Sequence, residues 1–254
     1  MRLALAATIA LSSTALAASE VAATEPSAYA AAVAAPDRPA EASELDESRK
    51  PAEVLAFLGL EPGMIAADLL TGTGYWAEIM AHVVGPEGQV IAYQPEQFYT
   101  DEDSKAAWSA LEARVPAVSE ARYPFDQFAP PAASLDFAII NLSYHDIYWT
   151  SERYKIPTTD PTAYVAALYA GMKPGGVVGV IDHVGEGSDT RMLVDQLHRI
   201  DPAVVRADFE RAGFVLAGTS DILANPGDDH SKLVFDPSIR GQTDRFLFKF
   251  VKPR

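Results

Sequence analysis

The residues best placed to do chemistry lie in one stretch, Asp68-Leu69-Leu70-Thr71-Gly72-Thr73-Gly74-Tyr75. An apolar run from Met64 leads into it and an apolar run from Tyr75 to Val84 leaves it. That pattern places the stretch between a buried strand and a helix. Glycines at such a turn let the backbone approach a ligand closely, and the helix that follows offers unpaired N–H groups. The expectation is a cradle for a nucleotide-type cofactor. Gly72-x-Gly74-x-x-Ala77 also satisfies the dinucleotide pattern, so the cradle alone does not choose the cofactor.

A second group follows the strong apolar run from Leu135 to Leu142: Asn141-Leu142-Ser143-Tyr144-His145-Asp146. A histidine next to an aspartate at a strand end is a candidate general base, or a means of orienting a hydroxyl nucleophile. His145 with Asp146 fills that role, and Tyr144 is the alternative for assisting an acceptor. The competing reading has these residues capping the loop by bonding to backbone. His183 and His230 also adjoin aspartates, and His198 precedes Arg199, so a polar pocket could gather them. None has the H-E-x-x-H spacing of a zinc helix, and no metal is expected. Tyr148, Trp149 and Tyr154 could wall an apolar substrate pocket.

Strands and helices must alternate to position these groups. Strands are expected at 64–70, 90–93, 115–119, 135–142, 177–181, 214–219 and 245–251, with helices from Lys50-Pro51, from Tyr75 to Val84, from Asp101 to Arg114, from Pro161 to Met172 and from Pro202 to Ala212. Repeated units of this length imply a doubly wound, Rossmann-like α/β sheet with helices on both faces. The 144–160 and 221–243 loops are too long for simple connectors and should carry ligand contacts.

The ends and the composition set limits. Met1-Arg2, the apolar run Leu3–Leu11 and Ala15-Leu16-Ala17 have the form of a signal peptide over 1–17, which implies an exported, periplasmic protein. Residues 18–47 lack an apolar period and read as a flexible leader, with the main domain spanning 48–254. The chain has no cysteine, so disulfides and a thiol nucleophile are excluded. A net charge of −15 argues against nucleic acid and membrane surfaces as partners, and mildly favours neutral or cationic small molecules. Nothing in the sequence sets the oligomeric state.

The order Pro62-Gly63-Met64, Asp68 to Tyr75, Gly88-Gln89-Val90, Ser134-Leu135-Asp136 and Met172-Lys173-Pro174-Gly175-Gly176 resembles the class I S-adenosylmethionine-dependent methyltransferases. Further segments, including Tyr144-His145-Asp146, Asp182-His183 and Asp228-Asp229-His230, are similar to a bacterial group of predicted exported methyltransferases. The resemblance implies a seven-stranded sheet with its last strand antiparallel and S-adenosyl-L-methionine as cofactor. It places that cofactor over Asp68, Thr71, Gly72, Thr73, Gly74, Tyr75, Gln94 and Asn141. Gln94 stands where the family's second strand usually holds an acid for the ribose hydroxyls, and Leu70 where it has the cradle's first glycine. Glu120 and Asp126 are both in range of the adenine, with nothing to choose between them. Asn141-x-x-Tyr144 echoes the Asn-Pro-Pro-Tyr motif of amino-group methyltransferases without its prolines.

These readings converge on methyl transfer to a small molecule, assisted by Tyr144, His145 or Asp146. The alternatives are a non-catalytic exported ligand-binding protein that keeps the fold and, less favoured, a nicotinamide-dependent oxidoreductase.

Overall fold

The computed structural model describes residues 26–254, so the expected signal peptide lies outside the described residues. Seven strands, β1 (Ile65–Leu69), β2 (Gln89–Pro95), β3 (Val118–Tyr123), β4 (Leu135–Asn141), β5 (Met172–His183), β6 (Val215–Ser220) and β7 (Arg245–Val251), form one sheet. Their order is β3-β2-β1-β4-β5-β7-β6. The β1/β2, β2/β3, β1/β4 and β4/β5 pairs are parallel, whereas β7 runs antiparallel to both β5 and β6. From β1 the chain winds outward to β3 and then returns to add β4 on the other side. The crevice beyond β1 and β4 is therefore the switch point at which open α/β sheets bind ligands. Both candidate segments leave the sheet there.

Helices α1 (Pro26–Val33), α2 (Ala40–Ser43), α3 (Asp46–Arg49), α4 (Pro51–Leu58), α5 (Tyr75–Val84), α6 (Glu102–Arg114), α7 (Pro161–Gly171), α8 (Thr190–Leu197) and α9 (Pro202–Ala212) complete the fold. Proline opens α4, α7 and α9, where its missing N–H costs nothing. The side chains of Asp101, Asp160, Asp189 and Asp201 cap α6, α7, α8 and α9 by accepting from a backbone N–H in the first turn. Successive strand residues bury on opposite faces: Ile139 packs with Leu55, Leu58 and Met80, Ile140 with Leu168, Val180 and Phe209. That two-sided burial is why the inner strands read as continuous apolar runs.

The Lys173-Pro174-Gly175-Gly176 turn holds the far end of the sheet. Lys173 Nζ meets Asp136 Oδ2 at 2.7 Å, and the same oxygen accepts from the Ile65 N–H at 3.0 Å. Gly175, with φ of +84°, donates to the Lys252 carbonyl and thereby joins β5 to the chain end. The turn belongs to the opening of a long β5, so the strand begins at Met172 where the sequence suggests 177. β3 lies at Val118–Tyr123, a few residues beyond the expected 115–119, and α8 falls where no element is expected.

Residues 26–47, expected to be a flexible leader, are largely helical and pack on the domain. Tyr29 and Ala32 are buried, and Tyr29 donates to the Leu60 carbonyl at 2.9 Å. Arg38 makes a two-pronged ion pair with Asp46, both contacts at 2.8 Å, and Asp46 also accepts from the Tyr75 hydroxyl at 2.6 Å. Val33, Ala42 and Leu45 also pack on the core, and the Asp46–Tyr75 bond ties the segment to α5. Its effect is to set Arg49 beside the cradle.

Candidate functional site: a cofactor groove opening into a histidine-lined chamber

Three adjoining cavities occupy the crevice. One of about 180 Å³ is lined by Arg49, Asp68, Gly72, Tyr75 and Asn141 among others. A second, about 300 Å³, shares Leu70, Gly72, Thr73 and Ser143 with it and adds Gln94, Phe98 and Trp108. These two form a groove over the cradle. The third is a chamber of about 860 Å³ that meets the groove at Arg49, Leu142, Phe98 and Asp146. Half of its lining comes from the 144–160 and 221–243 loops, and the rest from residues 45–49, Phe98, the ends of β4 and β5, His198 and Arg245.

Asp68 is buried, and its Oδ2 accepts both the Thr71 hydroxyl at 2.6 Å and the Ala77 N–H at 3.0 Å. Those bonds fold the loop onto the first turn of α5 and leave Oδ1 for a ligand. Burial pushes the Asp68 carboxyl up to about 7. Gln94 clasps Gly72: its Oε1 accepts from the Gly72 N–H at 3.2 Å and its amide donates to the Gly72 carbonyl at 3.3 Å. The Trp108 indole donates to the same carbonyl at 3.1 Å. Gln94 therefore braces the cradle from below, where the resemblance implies a ribose contact.

Gly72 and Gly74 are both left-handed, with φ of +60° and +79°, yet they differ in what surrounds them. A side chain on Gly74 would strike Leu111 Cδ2 at 2.4 Å, so α6 requires glycine there. One on Gly72 would meet no atom within 4 Å, because it points into the groove. Leu70 is also left-handed, at φ +54°. The position still demands the geometry glycine supplies, and strain of about 1–2 kcal/mol is offset by burying the leucine, worth about 1.5–3 kcal/mol.

At the end of β4, Tyr144 turns away from the cavities. It is fully buried and donates to Asp208 Oδ2 at 2.8 Å, packed against Phe209 of α9. Its place in the core, with its hydroxyl occupied, removes it as a catalytic candidate. His145 faces the chamber in a buried ion pair. Its Nδ1 lies 2.8 Å from Asp182 Oδ1, its N–H donates to Asp182 Oδ2 at 2.9 Å, and its Nε2 is 3.5 Å from Asp146 Oδ1. Burial works to lower His145, but Asp182 and then Asp146 outweigh it and hold it up at about 9. The paired carboxylates thus favour its charged form, and its Nδ1 is already engaged by Asp182. Asp146, raised to about 6 by burial despite the His145 charge, is the carboxylate at the meeting of groove and chamber.

The remaining histidines divide. His183 lines the chamber with Nδ1 at 2.7 Å from the Thr243 hydroxyl, and burial pushes it down to about 3, so it is neutral. His198, left-handed at φ +51°, touches the rings of His145, Trp149 and Phe235 at centroid distances of 5.5, 5.1 and 5.1 Å. His230 stays outside the chamber lining, 3.0 Å from Asp244. Of the adenine candidates, Glu120 is paired with Arg122 at 2.9 Å and Asp126 borders a separate small cavity; neither lines the groove. Among the described residues no group of His, Asp or Glu side chains is arranged to hold a metal ion.

Sequence reasoning passes over three arginines. Arg49 stacks over the Tyr75 ring at 4.3 Å and borders both groove and chamber. Arg240 and Arg245 also line the chamber. No local signal marks them, because only the packing of α3 and the return of the chain into β7 bring them together.

The fold is shared with solved methyltransferase structures. A S-adenosylmethionine-dependent methyltransferase from Aquifex aeolicus superposes with a TM-score of 0.56 at 18% identity, covering 90% of this chain and 99% of that one. A second, from Mesorhizobium loti, gives 0.55 at 14% identity over 82% and 99%. Phosphoethanolamine N-methyltransferase 2 from Haemonchus contortus, in complex with S-adenosyl-L-methionine, gives 0.56 at 15% over 81% and 53%. The chain thus has the class I S-adenosylmethionine-dependent methyltransferase fold. Within that class, residues 29–132 match the family described as protein-L-isoaspartate(D-aspartate) O-methyltransferase (PCMT). No curated protein matches the chain in sequence.

Proposed function

We propose that this chain transfers the methyl group of S-adenosyl-L-methionine to a small molecule held in the chamber. The observation that carries the reading is the open side of Gly72, facing a groove that runs into the chamber at Asp146. The residues fit the cofactor. Asp68 Oδ1 would accept from its ammonium, Arg49 in the same cavity would pair with its carboxylate, and the open side of Gly72 leaves room for its body. The cofactor supplies an activated methyl on a sulfonium. Phe98, Leu142 and Asp146 at the junction would hold the acceptor toward that methyl, and alignment is the main catalytic demand of such a displacement. When bound, the cofactor would give its methyl to the acceptor's lone pair and leave as S-adenosylhomocysteine, and Asp146 would take the acceptor's proton. His145, as an imidazolium, keeps Asp146 ionised.

Calorimetry with S-adenosylhomocysteine tests the cofactor half of this reading. Micromolar binding is expected, weakened about tenfold or more in Arg49→Met, since a charge-assisted contact is worth at least about 1.4 kcal/mol. Correctly folded protein that binds neither S-adenosylhomocysteine nor the methyl donor would sink the proposal. Once an acceptor is in hand, the rate should rise with pH through about 6 as Asp146 ionises, and Asp146→Asn should lower it by roughly 10²–10⁴ without that rise. Export is a separate proposal resting on the 1–17 leader, and a periplasmic-fraction blot that finds only full-length cytoplasmic protein would refute it.

A further inference from the structure

The charge inside the chamber opposes the charge of the whole chain. Arg245 is only 5% exposed, and all three of its described partners are neutral. Its Nε donates to the Thr243 hydroxyl at 3.2 Å, and its two terminal nitrogens donate to the Ser48 and Gly241 carbonyls, each at 2.8 Å. A guanidinium has five N–H groups, so one on each terminal nitrogen is left over. Among the described residues Arg38 and Arg199 each pair with an aspartate, whereas Arg49, Arg240 and Arg245 are in no ion pair. A buried cation without a counter-ion is costly. The neighbouring Arg49 adds to the cost: burial, and then the Arg49 charge, push Arg245 down to about 10.

The same chamber carries an aromatic wall. Tyr154, Trp149, His198 and Phe235 touch in series at centroid distances of 5.6, 5.1 and 5.1 Å. Tyr154 and Phe235 are 49% and 53% exposed, unusually open for residues of that size. The carboxylate of Asp146 lies where the chamber joins the groove. The chamber therefore has a cationic side, an aromatic wall and a basic oxygen at the groove, within a volume ordinary for a small-molecule site.

We propose that the chamber binds a small aromatic anion. Its negative group sits on Arg245 and Arg240, its ring lies along the Trp149–His198–Phe235 wall, and its hydroxyl or amine turns to Asp146 and the groove. Only that last orientation rests on the methyl-transfer reading; the anion site does not. A net charge of −15 points toward neutral or cationic substrates, but ligand choice is decided by the groups within contact distance.

Calorimetry of the full chain, with and without S-adenosylhomocysteine, would compare 4-hydroxyphenylacetate, 4-hydroxyphenyl phosphate, the neutral 4-hydroxyphenylacetamide and cationic tyramine. At least one of the two anions is expected to bind about tenfold or more tightly than the amide. Whichever anion is favoured identifies a carboxylate or a phosphate as the natural group. Arg245→Met and Arg240→Gln should each erase the preference. Arg245 also ties Ser48 and Gly241, so Arg240→Gln, on an exposed side chain, keeps the test readable if the first variant fails to fold. Equal or tighter binding of the amide or tyramine, or no binding of either anion by folded protein, overturns the proposal. Loss of S-adenosylhomocysteine binding with the anion preference intact would instead overturn the methyl-transfer reading.

Discussion

Replacing Asp182 with alanine should strongly destabilise the fold, costing about 3–5 kcal/mol. Asp182 is completely buried and accepts three N–H groups: the His145 backbone, the His145 ring and the His183 backbone at 2.8 Å. The lower end of the range is expected, because His145 can escape an unpaired burial by shedding its proton. That escape gives the prediction its sharper readout. His145 is raised from 6.5 to about 9 in the folded chain, so its contribution to stability is fully present below 6.5 and is lost as pH rises through about 9. Asp68 and Asp146, raised to about 7 and 6, also make stability fall with pH, but their effect is complete near neutrality. Between roughly pH 7.5 and 9 the slope therefore belongs mainly to His145. Urea unfolding of the parent should show declining stability across that window, and Asp182→Asn, which keeps the shape, should flatten it. An unchanged slope in Asp182→Asn would mean the ion pair is not what holds the histidine charged.

Much of this fold is written locally. The glycine turn after β1, the prolines opening α4, α7 and α9, and the buried runs of β1 and β4 each signal their element through neighbours a few residues away. The same locality explains the misplacements. β3 carries Glu120 and Arg122 inside it, so its apolar pattern is weak and its start was displaced toward Val115. Residues 26–49 show no apolar period because their anchors are scattered: Tyr29, Ala32 and Leu45 on the core, and the Arg38–Asp46–Tyr75 bonds spread over 38 positions. The site divides in the same way. The cradle is legible because glycine at a strand–helix turn has one physical meaning. His145 and Asp146 are legible as polar residues at a strand end, but their charge states depend on Asp182, contributed by β5. Tyr144 looked equally able to assist an acceptor, and only Asp208 on α9 shows why it cannot.

The two glycines of the cradle should respond to the same substitution in different ways. Gly74→Ala combines a left-handed backbone, costing about 1–2 kcal/mol, with a new carbon 2.4 Å from Leu111 and 3.0 Å from Trp108. Neither neighbour can withdraw easily, since both are buried where α6 packs on the cradle, and such overpacking adds about 1–3 kcal/mol. The total, about 2–5 kcal/mol, should appear as a clear loss in unfolding midpoint, with binding lost along with the fold. Gly72→Ala bears the backbone term alone, because no atom lies within 4 Å of the added carbon. Its stability should fall by only about 1–2 kcal/mol, yet S-adenosylhomocysteine should bind about tenfold or more weakly, because the methyl occupies the groove. Stability and affinity would then separate at positions two residues apart. A Gly72→Ala protein that binds as tightly as the parent would show that the open side of Gly72 is not where the cofactor lies, and the groove assignment would fail with the fold intact.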